Sequence, residues 1–278
     1  ICKERRAESY NMGIYRHQKQ GKRQLGLMIN PANHGSYVRA DYEDNDEPME
    51  VALAIGHHPA LILAGVTKQP GIGGELEVAG AFLKEPLEVV KGETVGLPVP
   101  ARAEIVIEGE ILPNVRQTEG PFGEFHQYYG QIVDAPEMRV KAITHRHDPI
   151  LPFSNMGMPV HEGQTGTALI KGAEVFSELK KLGLPVRGVF YPPYGVGHLA
   201  VVSTETPFIN FAKRVAHAVW ATKPGLFTYY IVVVDADVDP TNMDEVLHAI
   251  ATKCHPVNGI HPVPHIPGFP VLLPFHPP

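Results

Sequence analysis

Between Ala103 and Ile111 the chain reads Ala-Glu-Ile-Val-Ile-Glu-Gly-Glu-Ile, apolar and polar residues in alternation, which is the period of a half-buried strand. Gln24 to Asn30 predicts another strand, closed by Pro31, and Val51 to Gly56 a fully buried one. Arg139 to His145 adds a further strand. Pro59 to Val66 predicts a short apolar helix with proline at its first position, and Glu75 to Leu83 fits helix or strand equally. Residues 1–23 are polar and expected to be helical in part, while 39–49 are acidic and expected to form a loop. Strands therefore dominate the first 155 residues, and a barrel or sandwich with inserted helices fits them.

The period changes near residue 165. Leu169, Ala173, Phe176, Leu179 and Leu182 fall at helical spacing, which predicts an amphipathic helix over 165–182. Strands at 186–191 and 199–204 follow. Thr206-Pro207 is expected to cap a helix reaching Thr222, Phe227 to Val234 reads as a buried strand, and Thr241 or Asn242 caps a helix through Thr252. The order α-β-β-α-β-α predicts a second, layered α/β unit, with the boundary at 155–165.

Composition narrows the function classes. The 278 residues allow one large domain or two ordinary ones, and 44% apolar residues support a sizeable core. Net charge is −6 and no Lys/Arg stripe is long enough to track a phosphate backbone, so nucleic acid is not an expected partner. Cys2 and Cys254 lie near opposite ends without a CxxC pair, which suits a reducing, cytoplasmic setting. No apolar run approaches the ~20 residues of a membrane span, so no membrane partner is expected. The chain lacks an initial Met and ends at Phe275-His-Pro-Pro278, which reads as an incomplete or processed polypeptide.

HExxH, Walker A and GxSxG motifs are absent, and Gly71-Ile-Gly-Gly74 lacks the last glycine of a dinucleotide fingerprint. Glu119-Gly-Pro-Phe-Gly-Glu124 places two carboxylates in one constrained turn. Two acids in unlike surroundings can be driven to different protonation states, so one can serve as an acid; a solvated turn with two surface acids explains the same pattern. Asn11, His34 and Glu75 form an O/N set suited to Mn²⁺ or Mg²⁺, though nothing in their spacing unites them.

Taken in order, Asn11-Met-Gly-Ile-Tyr-Arg16, Pro31-Ala-Asn-His34, the glycine loop ending in Glu75, Ala103 to Gly109, and Glu119 to Glu124 resemble the UbiD family of decarboxylases. The resemblance covers nearly the whole chain. It implies a split β-barrel flavin-binding domain over 1–160, lacking an N-terminal part, and a C-terminal α/β domain over 161–278, lacking its terminal segment. It further implies prenylated FMN, supplied by a flavin prenyltransferase, a Mn²⁺ (or Mg²⁺) ion on Asn11, His34 and Glu75, and a K⁺ ion held by main-chain carbonyls around Ala64 to Thr67. Asn11, Met12, Gly13, Ile14, Tyr15 and Arg16, with Asn33 and Lys223, correspond to flavin contacts; a lysine complementing a helix C-terminus is an equal account of Lys223.

By the same resemblance Arg16, Glu119 and Glu124 form the catalytic network. Arg16 is expected to orient the substrate carboxylate and hold Glu119, and Glu124 to give the proton, kept neutral beside Phe122 and Phe125. Thr165, Thr167, Phe269 and Val271 are implied near the substrate ring, although Phe269 and Val271 read equally well as core. His126 and Gln127, the latter where the family often has glycine, favour a hydroxybenzoate such as gallate or protocatechuate over a cinnamate-type acid. The implied activity is non-oxidative, sometimes reversible decarboxylation by a homodimer or larger homo-oligomer. A flavin oxidoreductase on a similar barrel and a non-catalytic assembly subunit are the competing readings.

Overall fold

The computed structural model describes residues 1–31, 33–67, 74–154, 160–264, 266 and 268. These divide into two compact units: 1–122 with 130–153, and 123–129 with the chain from 154 onward.

The first unit is built on β1 (Cys2–Lys3), β2 (Tyr10–Asn11), β3 (Arg16–Lys19) and β4 (Gln24–Met28), then α1 (His34–Glu43), β5 (Met49–Ile55), α2 (Pro59–Val66) and α3 (Glu75–Leu83). The short pair β6 (Val89–Lys91) and β7 (Pro98–Pro100) precedes two long strands, β8 (Ile105–Glu119) and β9 (Val133–His145). Seven strands make one antiparallel sheet in the order β2-β1-β5-β8-β9-β4-β3. A flat sheet of seven strands is about 29 Å across at the usual spacing. Its two edges, β2 and β3, are consecutive in sequence, and the five peptide steps from Asn11 to Arg16 reach at most about 18 Å. The sheet must therefore curl until its edges approach, yet among the described residues it stays open and no closed barrel forms. The curl brings the segment 11–16 across the gap between the edges.

Leu27, Val38, Met49, Val51, Ile111 and Met138 form the core on one face, where α1 packs. Ala52, Val95, Leu97, Val99 and Val106 form the core on the other. The alternation at 103–111 is thus a strand between two cores, and it runs eight residues further than its pattern, to Glu119 itself. Residues 1–23 form short strands rather than helix, because Cys2 pairs with Asn11 and Val51. The expected acidic loop at 39–49 is helical as far as Glu43. Val38 is buried against the sheet there, and Arg39 and Glu43 pair one turn apart.

Glu108 is 1% exposed and holds the turn after β6 on β8, accepting from the backbone N–H of Glu93 (2.9 Å) and Thr94 (2.6 Å) and from the Thr94 hydroxyl (2.8 Å). Burial pushes its carboxyl up, but these donors outweigh burial and leave it below the usual carboxylate range. Glu108→Gln should destabilise the protein by about 2 kcal/mol at neutral pH, since an amide turns N–H toward N–H donors. A lowered carboxyl stabilises the fold above its unfolded value of about 4.3 and loses that contribution as the pH falls through the folded value. The deficit of the variant in urea unfolding should accordingly shrink on acidification below that range.

The second unit carries α4 (Glu162–Lys181), β10 (Val186–Phe190), β11 (Leu199–Thr204), α5 (Phe211–Ala221), β12 (Tyr230–Asp235) and α6 (Met243–Lys253). β11 lies between antiparallel β10 and parallel β12. Its residues alternate between two cores: Ala200 and Val202 face α4 and α5, and Val201 packs with Val246 and Ala249 of α6. Burial on both faces explains its unbroken apolar run. Asn242 caps α6 as expected, accepting from the N–H of Asp244 and Glu245. The cap at Thr206-Pro207 does not form; α5 starts at Phe211 behind Asn210, and the Thr206 hydroxyl donates to Asp235. The strand expected from Phe227 starts at Tyr230, because Thr228 closes a turn with Gly225 and its carbonyl accepts from Trp220. Among the described residues no helix is long and apolar enough to cross a membrane.

Candidate active site

The segment from Asn11 to Arg16 has a different partner at each end. At its start, Asn11 Nδ2 lies 3.2 Å from His34 Nδ1 and 3.5 Å from Glu75 Oε1, and Glu75 Oε2 accepts from the Met12 N–H at 3.4 Å. His34 and Glu75 are the first residues of α1 and α3, so helix starts supply two members of the trio and the sheet edge supplies the third. Gly74, at φ 95°, turns the chain into α3 through a conformation that favours glycine. Tyr15 folds back so that its hydroxyl donates to Asn11 Oδ1 at 3.3 Å, and a Cβ at Gly13 or Gly35 would collide with its ring. Burial pushes the Tyr15 phenol up to about 12, so it remains a donor.

The trio has donors that could hold a cation. Glu75 is 8% exposed, and among the described residues it has no Lys, Arg or His within ion-pair distance. Burying a carboxylate is costly, and a bound cation offsets that cost. The donors available are oxygen and imidazole nitrogen, which suit a hard divalent ion. Burial pushes the nearby Cys2 thiol up to about 11. Asn11 faces His34 and Glu75 with its nitrogen, so as a ligand it presents its oxygen by an amide flip that leaves the chain in place. Among the described residues no group of three His, Cys, Asp or Glu side chains stands at metal-binding geometry.

At the other end, Arg16 meets Glu119 as a fork on a carboxylate, Nε to Oε1 at 3.1 Å and Nη2 to Oε2 at 2.7 Å. Glu119 is fully buried and Arg16 about a quarter exposed, so the pair fixes a guanidinium at the edge of solvent. Glu119 sits at the end of β8, where Gly26 on β4 leaves room for its side chain. Phe122 lies under the Arg16 guanidinium, 4.4 Å from ring centroid to Cζ. That ring therefore supports the arginine, a role the sequence reading had not given it. Gln18, two residues beyond Arg16 and so on the same face of β3, accepts from the Gly120 N–H at 3.1 Å and fixes the start of the loop. Period-2 alternation from Arg16 was the signal that could have found Gln18.

Glu124 belongs to the second unit, within 123–129. It is half-buried in a tight hairpin: its N–H donates to Tyr128 O at 2.9 Å, and its carbonyl accepts from the Gln127 N–H at 2.8 Å. Gln127 takes a left-handed φ of 70°. This explains why glycine would serve equally well at that position. The hairpin is tied to α4 by Gln164 Nε2, which donates to Phe125 O at 3.1 Å.

The remaining expected residues lie on or beside several elements. Lys223 follows directly on the end of α5, and Asn33 is the residue before α1. Thr165 and Thr167 are both exposed on α4, and two residues apart on a helix they point about 200° from one another. Around Ala64 to Thr67, the Ala64 carbonyl accepts from the Thr67 N–H at 3.1 Å. Phe269 and Val271 lie outside the described residues.

Two family models match, the 3-octaprenyl-4-hydroxybenzoate carboxy-lyase Rift-related domain over residues 1–159 and the C-terminal domain of the same carboxy-lyase over 165–275. The chain belongs to the UbiD family. Within that family it is 34% identical over 262 residues to a phenolic acid decarboxylase of Bacillus subtilis (strain 168), covering 94% of this chain and 55% of the relative. An evolved dimeric form of the UbiD-class enzyme HmfF from Pelotomaculum thermopropionicum, in complex with prFMN, has a TM-score of 0.84 at 37% identity, over 92% of this chain and 59% of that one. The vanillic acid decarboxylase of Sedimentibacter hydroxybenzoicus in its closed form gives 0.81 at 31%, over 88% and 52%. The chain thus spans little more than half the length of these UbiD relatives.

Proposed function

We propose that this chain is the greater part of a carboxy-lyase that removes CO₂ without net oxidation from an aromatic acid, best a hydroxybenzoate, using prenylated FMN. The observation that carries the proposal is the segment 11–16, which joins a buried cation-type trio at one end to a buried Arg16–Glu119 fork at the other. Residues 1–160 form the flavin-binding domain and 161–278 the C-terminal α/β domain. Asn11, His34 and Glu75 would hold Mn²⁺ (or Mg²⁺), which would supply positive charge for an anionic cofactor, with Met12 to Tyr15, Asn33 and Lys223 as further flavin contacts. A K⁺ ion near Ala64 to Thr67 completes the set. When bound, prenylated FMN supplies the electron sink for the carbon that loses CO₂.

The chain's own residues do the rest. Arg16, held at a fixed angle by Glu119 and Phe122, orients the substrate carboxylate as a guanidinium–carboxylate pair. Glu124 delivers the proton to the carbon that CO₂ leaves. The hydroxybenzoate preference draws support from the relatives named for phenolic and vanillic acids. The HmfF structure, a dimeric form, supports a homodimer or larger homo-oligomer. Two free cysteines near opposite ends of the sequence favour the cytoplasm.

The test is production of the full-length protein together with a flavin prenyltransferase, followed by CO₂ release from a panel of aromatic acids. Gallate, protocatechuate and vanillate should be turned over faster than cinnamate, with the product gaining one proton at the vacated carbon. Flavin-loaded protein that releases CO₂ from none of them would refute the proposal.

A further inference from the structure

The register of the first hairpin places one more acid beside the trio. Cys2 on β1 pairs with Asn11 on β2, and Lys3 pairs with Tyr10. The Glu4 N–H continues the ladder to Ser9 O at 3.0 Å. Side chains two apart on a strand share a face, and directly paired residues also share one. Glu4, Cys2 and Asn11 therefore point to the same side, toward His34. Glu4 is 7% exposed, and its Oε1 is 3.4 Å from His34 Nε2. That contact is close but off line for a hydrogen bond, and Oε1 has no hydrogen-bond partner among the described residues. A buried carboxylate oxygen requires a donor, and Nε2 of His34 is in reach with a small ring rotation.

The other ring nitrogen is committed differently. In the cation-free protein, with Asn11 turning its Nδ2 donor to His34 Nδ1 at 3.2 Å, Nδ1 is the acceptor and carries a lone pair, which faces the cation once Asn11 turns its oxygen to it. The hydrogen of the neutral ring is then on Nε2, on the Glu4 side.

We propose that Glu4 is a positioning residue for the cation site: it takes the Nε2 hydrogen of His34 and so holds the Nδ1 lone pair toward Asn11 and Glu75. This rests on reading Asn11, His34 and Glu75 as cation ligands. A carboxylate behind a ligating histidine selects the tautomer, fixes the ring plane and raises the basicity of the ligating nitrogen.

The test uses the full chain free of flavin and Mn²⁺ alone as probe, with binding followed by loss of the free-ion electron paramagnetic resonance signal. Glu4→Met, similar in volume but without an acceptor, should weaken Mn²⁺ binding 10- to 100-fold. Glu4→Gln, which keeps an acceptor oxygen, should lose less. Independently of metal, the ¹⁵N spectrum of the unaltered protein should show His34 protonated at Nε2 at neutral pH. If Glu4→Met does not fold, a proton on Nδ1 still overturns the role of Glu4. Mn²⁺ affinity unchanged in a folded Glu4→Met protein, or a proton on Nδ1, overturns the role of Glu4 while leaving the cation site standing. Failure of the unaltered protein to bind Mn²⁺ removes the site and this role with it.

Discussion

Arg16→Ala is expected to lower decarboxylation by about a thousandfold and to destabilise the protein by about 3 kcal/mol. The two effects have separate origins. Stability falls because Glu119 is fully buried and both of its oxygens are bonded to this one guanidinium. Removing one partner of a buried pair leaves a desolvated carboxylate, at a cost of about 3–5 kcal/mol. Activity falls because the substrate carboxylate loses the group that would orient it, an effect of the size seen when a single preorganised donor is deleted, about 10²–10³. Arg16→Lys separates charge from shape. It keeps the positive charge but cannot offer two parallel N–H groups to Glu119 or stack flat on Phe122, so most of the activity should still be lost. Replacing both partners, Arg16→Met with Glu119→Leu, should recover much of the stability measured by urea unfolding and none of the CO₂ release. An Arg16→Ala protein within tenfold of full activity would remove Arg16 from the mechanism.

What could be read from the sequence divides along the length scale of the interaction. The alternation from Ala103 to Ile111, the proline-led helix at Pro59 and the Asn242 cap are local signals, and each marks an element that forms where its pattern stands. β1 and β2 are two residues each and have no period to display. They exist because Cys2 pairs with Val51, 49 positions on, a contact that local propensity cannot express. α1 was hidden for a related reason: its acidic residues read as loop, while Val38 and the Arg39–Glu43 pair find their value only against the sheet. The convergence of Asn11 with His34 and Glu75 spans 23 and 64 positions, and no spacing rule reaches so far. It was accessible only through the order of motifs shared with the UbiD family. Glu4 was missed although its signal was short-range, because the register that puts it on the face of Asn11 depends on a hairpin that itself had not been foreseen.

Glu124→Gln should abolish CO₂ release, by about 10²–10⁴-fold, while leaving the fold and flavin content intact. The hairpin that carries Glu124 is held through its backbone. The hairpin bonds of Glu124 to Tyr128 and Gln127 use its backbone N–H and C=O, and the Gln164 anchor takes the carbonyl of the next residue, Phe125. Exchange of a carboxyl for a carboxamide of the same shape touches none of these. The chemical consequence is confined to the proton: an amide cannot give one to carbon, so the step after CO₂ departure stalls. This is the reverse of the Arg16→Ala pattern, in which stability and activity fall together. Glu124→Asp, which keeps an acid on a shorter stem, should retain measurable turnover. Run in D₂O, the unaltered enzyme should place one deuterium on the carbon that carried the carboxylate. Equal CO₂ release by Glu124→Gln and the unaltered enzyme would assign the proton to another donor, and with Glu119 locked in the fork to Arg16 the search would move to His126, two residues along the same hairpin.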